Sequence, residues 1–103
     1  MKTRTLGKTG LTVSEIGFGG IPIISLSEAD ACAVLRHALE RGITFYDSAN
    51  MYGDSEKKMG LAFSDVRDEI VLATKTTERS ADKAARHIDY SLENFQTGWI
   101  DLY

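Results

Sequence analysis

Cysteine, proline and long apolar runs are scarce in this sequence, and each scarcity excludes something. A single cysteine, Cys32, among 103 residues cannot close an internal disulfide, and no Cys/His cluster has metal-ligand spacing. With one proline there is no Pro/Gly-rich linker, nor is any segment of low complexity, so the length allows one domain at most with a single modest core. No apolar stretch approaches the length that spans a bilayer, and the opening "MKTRTLGKTG" contains no apolar h-region. A basic excess is also missing. The formal net charge of −3 removes nucleic acid and anionic membrane as default partners. A cytoplasmic chain is the expectation, and 43% hydrophobic with 26% charged residues is an ordinary globular balance.

What is present alternates. Residues 3–15 alternate weakly around "LGKTGL", whose Gly7 and Gly10 predict a short hairpin. "EIGFGG", 15–20, reads as a short buried strand. "SLSEADACAVLRHALERG" reads as a helix capped by Ser27, favoured at its start by Glu28 and Asp30 and stopped by Gly42. Its apolar stripe is Ala31, Val34, Leu35 and Ala38. "ITFYD" is a strand, and "SEKKMGLAFS" a short helix with Met59, Ala62 and Phe63 on one side and "EKK" as a solvated face. "EIVLATK" is the clearest strand. "SADKAARHIDYSLENF" is a third helix, capped by Ser80, with Ala84, Ile88, Leu92 and Phe95 as its stripe, and "WIDLY" begins a fourth strand. Strands alternating with helices imply an α/β chain with a parallel sheet, either a small open sheet or the front portion of a closed barrel. A complete eight-fold barrel takes roughly 250 residues.

In both architectures ligand sites gather at the carboxyl ends of the strands. Gly19 and Gly20 end the first, Asp47 the second and Lys75 the third, with Tyr52 on the loop after Asp47. A free phenol titrates near ~10, and an adjacent ammonium stabilises the phenolate. Tyr52 then reads as a general acid, Lys75 as its tuner and Asp47 as the partner of Lys75. Such a trio suits protonation of a carbonyl oxygen while a hydride reaches the carbon.

In order and at matching separations, "GFGG", "FYDSANMYGDSE", "VLATK" and "IDLY" resemble the N-terminal part of the aldo-keto reductase family, and the resemblance covers essentially the whole chain. It implies a (β/α)8 TIM barrel plugged by an N-terminal hairpin. Residues 1–15 would be that hairpin, and 16–103 would be three βα units and the start of strand 4. It implies reduction of a small aldehyde or ketone by NADP(H) or NAD(H), with Asp47, Tyr52 and Lys75 as three members of a tetrad. The fourth, a histidine, falls three residues beyond the tyrosine of "DLY", past Tyr103; His37 and His87 lie in predicted helices and do not match it. Of the cofactor site, only the nicotinamide side near Gly19, Gly20 and Asp47 is represented, so this chain alone is expected to be inactive and mostly without cofactor. "GFGGIPI" resembles a branch that carries a C-terminal iron–sulfur module, which one cysteine cannot supply.

Other readings stand beside these. "GFGG" is not the dinucleotide fingerprint G-x-G-x-x-G, and its glycines also suit a tight bend. Lys75 could instead form a Schiff base in an aldolase-type barrel. A non-enzymatic truncated fragment with exposed sheet edges would self-associate. Cys32 reads as a small buried side chain, Phe95 and Trp99 as core, and Asp101 as one half of a structural ion pair.

Overall fold

The computed structural model describes residues 1–103. Two antiparallel strands, β1 (Thr3–Thr5) and β2 (Thr12–Ser14), form the expected hairpin, with Arg4 opposite Val13. Gly7 and Gly10 turn it with φ of +53° and +76°, backbone that favours glycine. Reciprocal hydrogen bonds fasten the hairpin to the chain ahead of β4. Ser14 N–H donates to Thr44 Oγ1 at 3.0 Å and Thr44 N–H returns a bond to Ser14 Oγ at 2.9 Å. That reciprocal pair sits one residue before the second sheet's middle strand.

The second sheet is parallel, ordered β3 (Gly17–Gly19), β4 (Phe45–Asp47), β5 (Val71–Ala73). Its register aligns Phe18, Tyr46 and Leu72 in one row, flanked by rows that begin at Gly17 and Gly19. Side chains alternate along a strand, so the middle row turns to one face and the flanking rows to the other. Tyr46 is fully buried in the middle row, between the Phe18 ring at 5.7 Å and the Phe63 ring at 4.5 Å. Its hydroxyl donates to the Ile43 carbonyl at 2.8 Å, which meets the need of a buried polar atom for a partner. Burial pushes this phenol up to about 12.

Three helices cover that face: α1 (Glu28–Glu40), α2 (Ser55–Phe63) and α3 (Ala81–Phe95), with α2 packed between the other two. Ser27 and Ser80 cap α1 and α3 by accepting from Asp30 N–H and Lys83 N–H. Gly42 follows α1 with φ of +92°. Gly60 marks the close crossing of α2 and α3: a Cβ there would stand 2.8 Å from the Phe95 carbonyl carbon. None of the helices is long and apolar enough to cross a membrane.

Several sequence expectations change. Val34 does not join the α1 stripe; it is 44% exposed, while Ala31, Leu35 and Ala38 are buried. Ala31, Leu35 and Ala38 follow i, i+4, i+7, and Val34 falls a hundred degrees to one side of Leu35. "EKK" is not a solvated face, because Glu56 and Lys58 are each 2% exposed. "WIDLY" contributes a single parallel bridge, Leu102 to Ala73, rather than a paired strand. That bridge is nevertheless firmly seated. Arg67, nearly buried, donates to the Trp99 carbonyl at 2.8 Å and to Asp101 Oδ2 at 2.7 Å, and its guanidinium lies 4.3 Å from the Trp99 ring centre. Asp101 is thus the ion-pair partner expected of it, whereas the Trp99 ring is half exposed and covers the arginine rather than filling the core.

Candidate active site

Strand register carries the reactive side chains to one place. Gly19, Asp47 and Ala73 form a row across the carboxyl ends of β3, β4 and β5. Lys75, two residues past Ala73, leaves on the same face as Asp47, opposite the helices. Backbone pairing continues beyond the strands, with Ser48 N–H donating to the Ala73 carbonyl at 2.9 Å and Asn50 N–H to the Lys75 carbonyl at 3.0 Å. The two strand exits therefore run side by side. Across them, Lys75 Nζ donates to Asp47 Oδ2 at 2.8 Å and to the Ser48 carbonyl at 2.7 Å.

Tyr52 arrives by a tight loop. Its N–H donates to the Ala49 carbonyl and its own carbonyl accepts from Ser55 N–H, with Gly53 supplying φ of +50° between the loop and α2. The Lys75 ammonium then lies over the Tyr52 ring, 5.0 Å from its centre, a cation–π arrangement. Both members of the Asp47–Lys75 pair are half exposed, so the pair adds little to stability. Its effect is directional: the ammonium has two fixed acceptors and one aromatic face.

The two glycines differ. Around Gly19 nothing lies within 4 Å of a Cβ position, and the mouth there is open. Gly20 is buried; a Cβ would stand 2.5 Å from Ser55 Oγ and 2.9 Å from Met59 Cε, and its N–H donates to the Asp47 carbonyl at 2.8 Å. Gly20 seats the exit of β3 against α2.

Residues behind the mouth escaped the sequence reading. Ser48 and Ser55 join through their hydroxyls at 2.9 Å, both fully buried. Glu56 accepts from Thr74, Ser91 and Asn94. A usable signal existed. Glu56, Met59 and Phe63 are spaced i, i+3, i+7 and so share one helical stripe. His37 is exposed on α1. His87 on α3 is within 2.8 Å of Thr76 Oγ1, near Tyr103. The Tyr103 phenol is pushed up by partial burial, against a hydrogen bond with the Thr76 side chain, with the Glu56 charge adding to the rise.

A parallel sheet with helices on one face and an Asp–Lys–Tyr cluster at its carboxyl ends has the architecture of the N-terminal part of a (β/α)8 barrel. The chain belongs to the aldo/keto reductase family, whose family model matches residues 15–103. It is 36% identical over 117 residues to L-galactose dehydrogenase of Arabidopsis thaliana, covering 99% of this chain and 37% of that protein. The aldo-keto reductase YhdN of Bacillus subtilis is 34% identical over 122 residues, covering 100% of this chain and 37% of the relative. Among solved structures, the aldo-keto reductase AKR11C1 from Bacillus halodurans in its holo form superposes with a TM-score of 0.86 at 32% identity, covering 97% of this chain and 38% of that one. The chain therefore spans less than two-fifths of the length of these relatives.

Proposed function

We propose that this segment supplies the proton-donating side of a reductase acting on small aldehydes or ketones. The observation that carries the reading is the Lys75 ammonium, bonded to Asp47 and held over the Tyr52 ring at the strand exits. Tyr52 gives its hydroxyl proton to the carbonyl oxygen as that oxygen gains charge. Lys75 balances the phenolate left behind, and Asp47 aims Lys75. NADP(H) or NAD(H), when bound, supplies the hydride. The open space at Gly19 and the half-exposed Asp47 carboxylate fit the nicotinamide end of such a cofactor, and Gly20 supports them through its packing.

The Schiff-base alternative would use the same Lys75, and borohydride trapping with a keto substrate tests it, since a reductase gives no covalent adduct. Self-association of the 103-residue chain is favoured by the sheet face opposite the helices, where Phe45 is only partly covered. Sedimentation of the purified chain tests it, and a monodisperse monomer would argue against it.

The catalytic reading is tested by Tyr52→Phe in a complete barrel that carries this segment. Turnover should fall by about 10²–10⁴-fold, the usual worth of a general acid. NADPH affinity, followed by fluorescence, should be unchanged. Near-normal turnover in that variant would remove Tyr52 from the proton-donor role.

A further inference from the structure

Glu56 is a carboxylate in the interior with no cation beside it. It is 2% exposed, and none of the chain's ion pairs includes it. Three neutral donors satisfy it instead: Thr74 Oγ1 at 2.5 Å and Ser91 Oγ at 2.7 Å on Oε1, and Asn94 Nδ2 at 3.0 Å on Oε2. Burying a charge this way is costly, and an apolar side chain would fill the same place against Met59 and Phe63 without that cost. Its donors indicate what it does. Thr74 is the residue before Lys75, and Ser48 is the residue after Asp47. The Thr74 hydroxyl is held by Glu56, and the Ser48 hydroxyl is held by Ser55, the preceding residue of α2.

One turn of one helix thus grips both strand exits from behind, on the face opposite the ammonium. Side chains alternate at the exit, so fixing Thr74 toward the helices fixes Lys75 toward the mouth. We propose that Glu56 is a positioning residue for Lys75, acting through the Thr74 hydroxyl, with Ser55 doing the same for Asp47 through Ser48. This rests on the reading of Lys75 and Asp47 as reacting groups, but its physical content is the immobility of the Lys75 ammonium. A charge-assisted O–H···O⁻ bond is short and about twice as strong as a neutral one, which suits it to hold a strand end after regular pairing stops.

The test separates the two ideas by reading Lys75 directly. Competitive acetylation of the 103-residue chain, resolved by mass spectrometry, compares Lys75 with Lys2, Lys8 and Lys83 in the same sample. Thr74→Val removes the hydroxyl with almost no change in volume, and Glu56→Gln removes the charge while keeping the shape. Both should raise the Lys75 labelling rate several-fold relative to the reference lysines. Ser91→Ala, which strips a donor from the same carboxylate on the α3 side, should leave it unchanged. If Lys75 labelling does not move in Thr74→Val and Glu56→Gln, or moves equally in Ser91→Ala, Glu56 is only a packing group and the proposal is overturned.

In a complete barrel, Glu56→Gln should lower kcat roughly tenfold, with KM little changed, as small misplacements of reacting groups do. A labelling change with unchanged kcat would uphold the positioning of Lys75 and remove its catalytic role.

Discussion

Helices α1 and α2 lie against each other over the same sheet, yet they are seated by different means. α1 offers the core Ala31, Leu35 and Ala38, and none of its charged side chains is buried. α2 offers Met59, Ala62 and Phe63 but also buries Glu56 and Lys58. Lys58 Nζ donates to the carbonyls of Ile23 and Ile24 at 3.1 and 3.0 Å and pairs with Asp54 at 2.9 Å. It ties the turn after β3 to α2, much as Glu56 ties α2 to β5 and α3. An apolar stripe fixes which face of a helix is inward but tolerates sliding. Buried charges with named partners fix position along and across the helix as well. α2 stands directly behind the mouth, and α1 is one helix removed from the Lys75 exit.

Four substitutions or conditions sharpen or break this contrast. The largest effect is expected from Leu35→Ala on α1, which should cost about 2–5 kcal/mol in urea unfolding of the chain, as buried leucine truncations do. Lys58→Met should come next, at roughly 1.5–3 kcal/mol, the range for losing a hydrogen bond made by a charged group. Because Lys58 is buried, that loss should be nearly the same in low and high salt. A strongly salt-dependent loss would place its value in surface attraction and erase the contrast.

Alkaline pH probes the shared core. Tyr46 titrates at about 12 in the fold and near 10 as a free phenol, so the folded state binds the proton more tightly. Its contribution is fully present below ~10 and is lost as pH rises from ~10 toward 12, at up to roughly 1.4 kcal/mol per pH unit. Tyr46→Phe should flatten that part of the stability profile. The smallest effect belongs to Val34→Thr, on the solvent side of α1, expected within about 0.5 kcal/mol of the parent.

The same contrast explains what could be read in advance. Hairpin, alternating strands and helices, both serine caps and most of the α1 stripe were legible because they depend on neighbours within a few residues, whereas of the four residues expected to form the α3 stripe only Phe95 is buried. Asp47, Tyr52 and Lys75 were legible because strand ends follow from hydrophobic runs, and their grouping followed from parallel order. Glu56 and Lys58 were misread because, Asp54 apart, their partners lie 18 to 38 residues away, at Thr74, Ser91 and Asn94, or 34 and 35 residues back, at Ile24 and Ile23. A charge run looks solvated until those partners are known. Val34 was misassigned for the opposite reason, since hydrophobicity alone does not say which edge of a stripe meets the core. "WIDLY" has the composition of a strand, but only Leu102 bridges to β5.

Arg67 has a consequence for the order in which this molecule comes apart. It stands just before β5 and holds Thr97, Trp99 and Asp101, 30 to 34 residues later, while Asp101 also accepts from Leu72 N–H at 2.8 Å. The clasp turns β5, α3 and the segment after it into a closed ring of chain. Fraying of α3 from its C-terminal end cannot run on into Leu102 without first releasing the guanidinium. The amides of Leu72, Thr74 and Leu102 should therefore exchange their hydrogens in one concerted opening, separate from the slow or fast leakage of the hairpin at the other end of the chain.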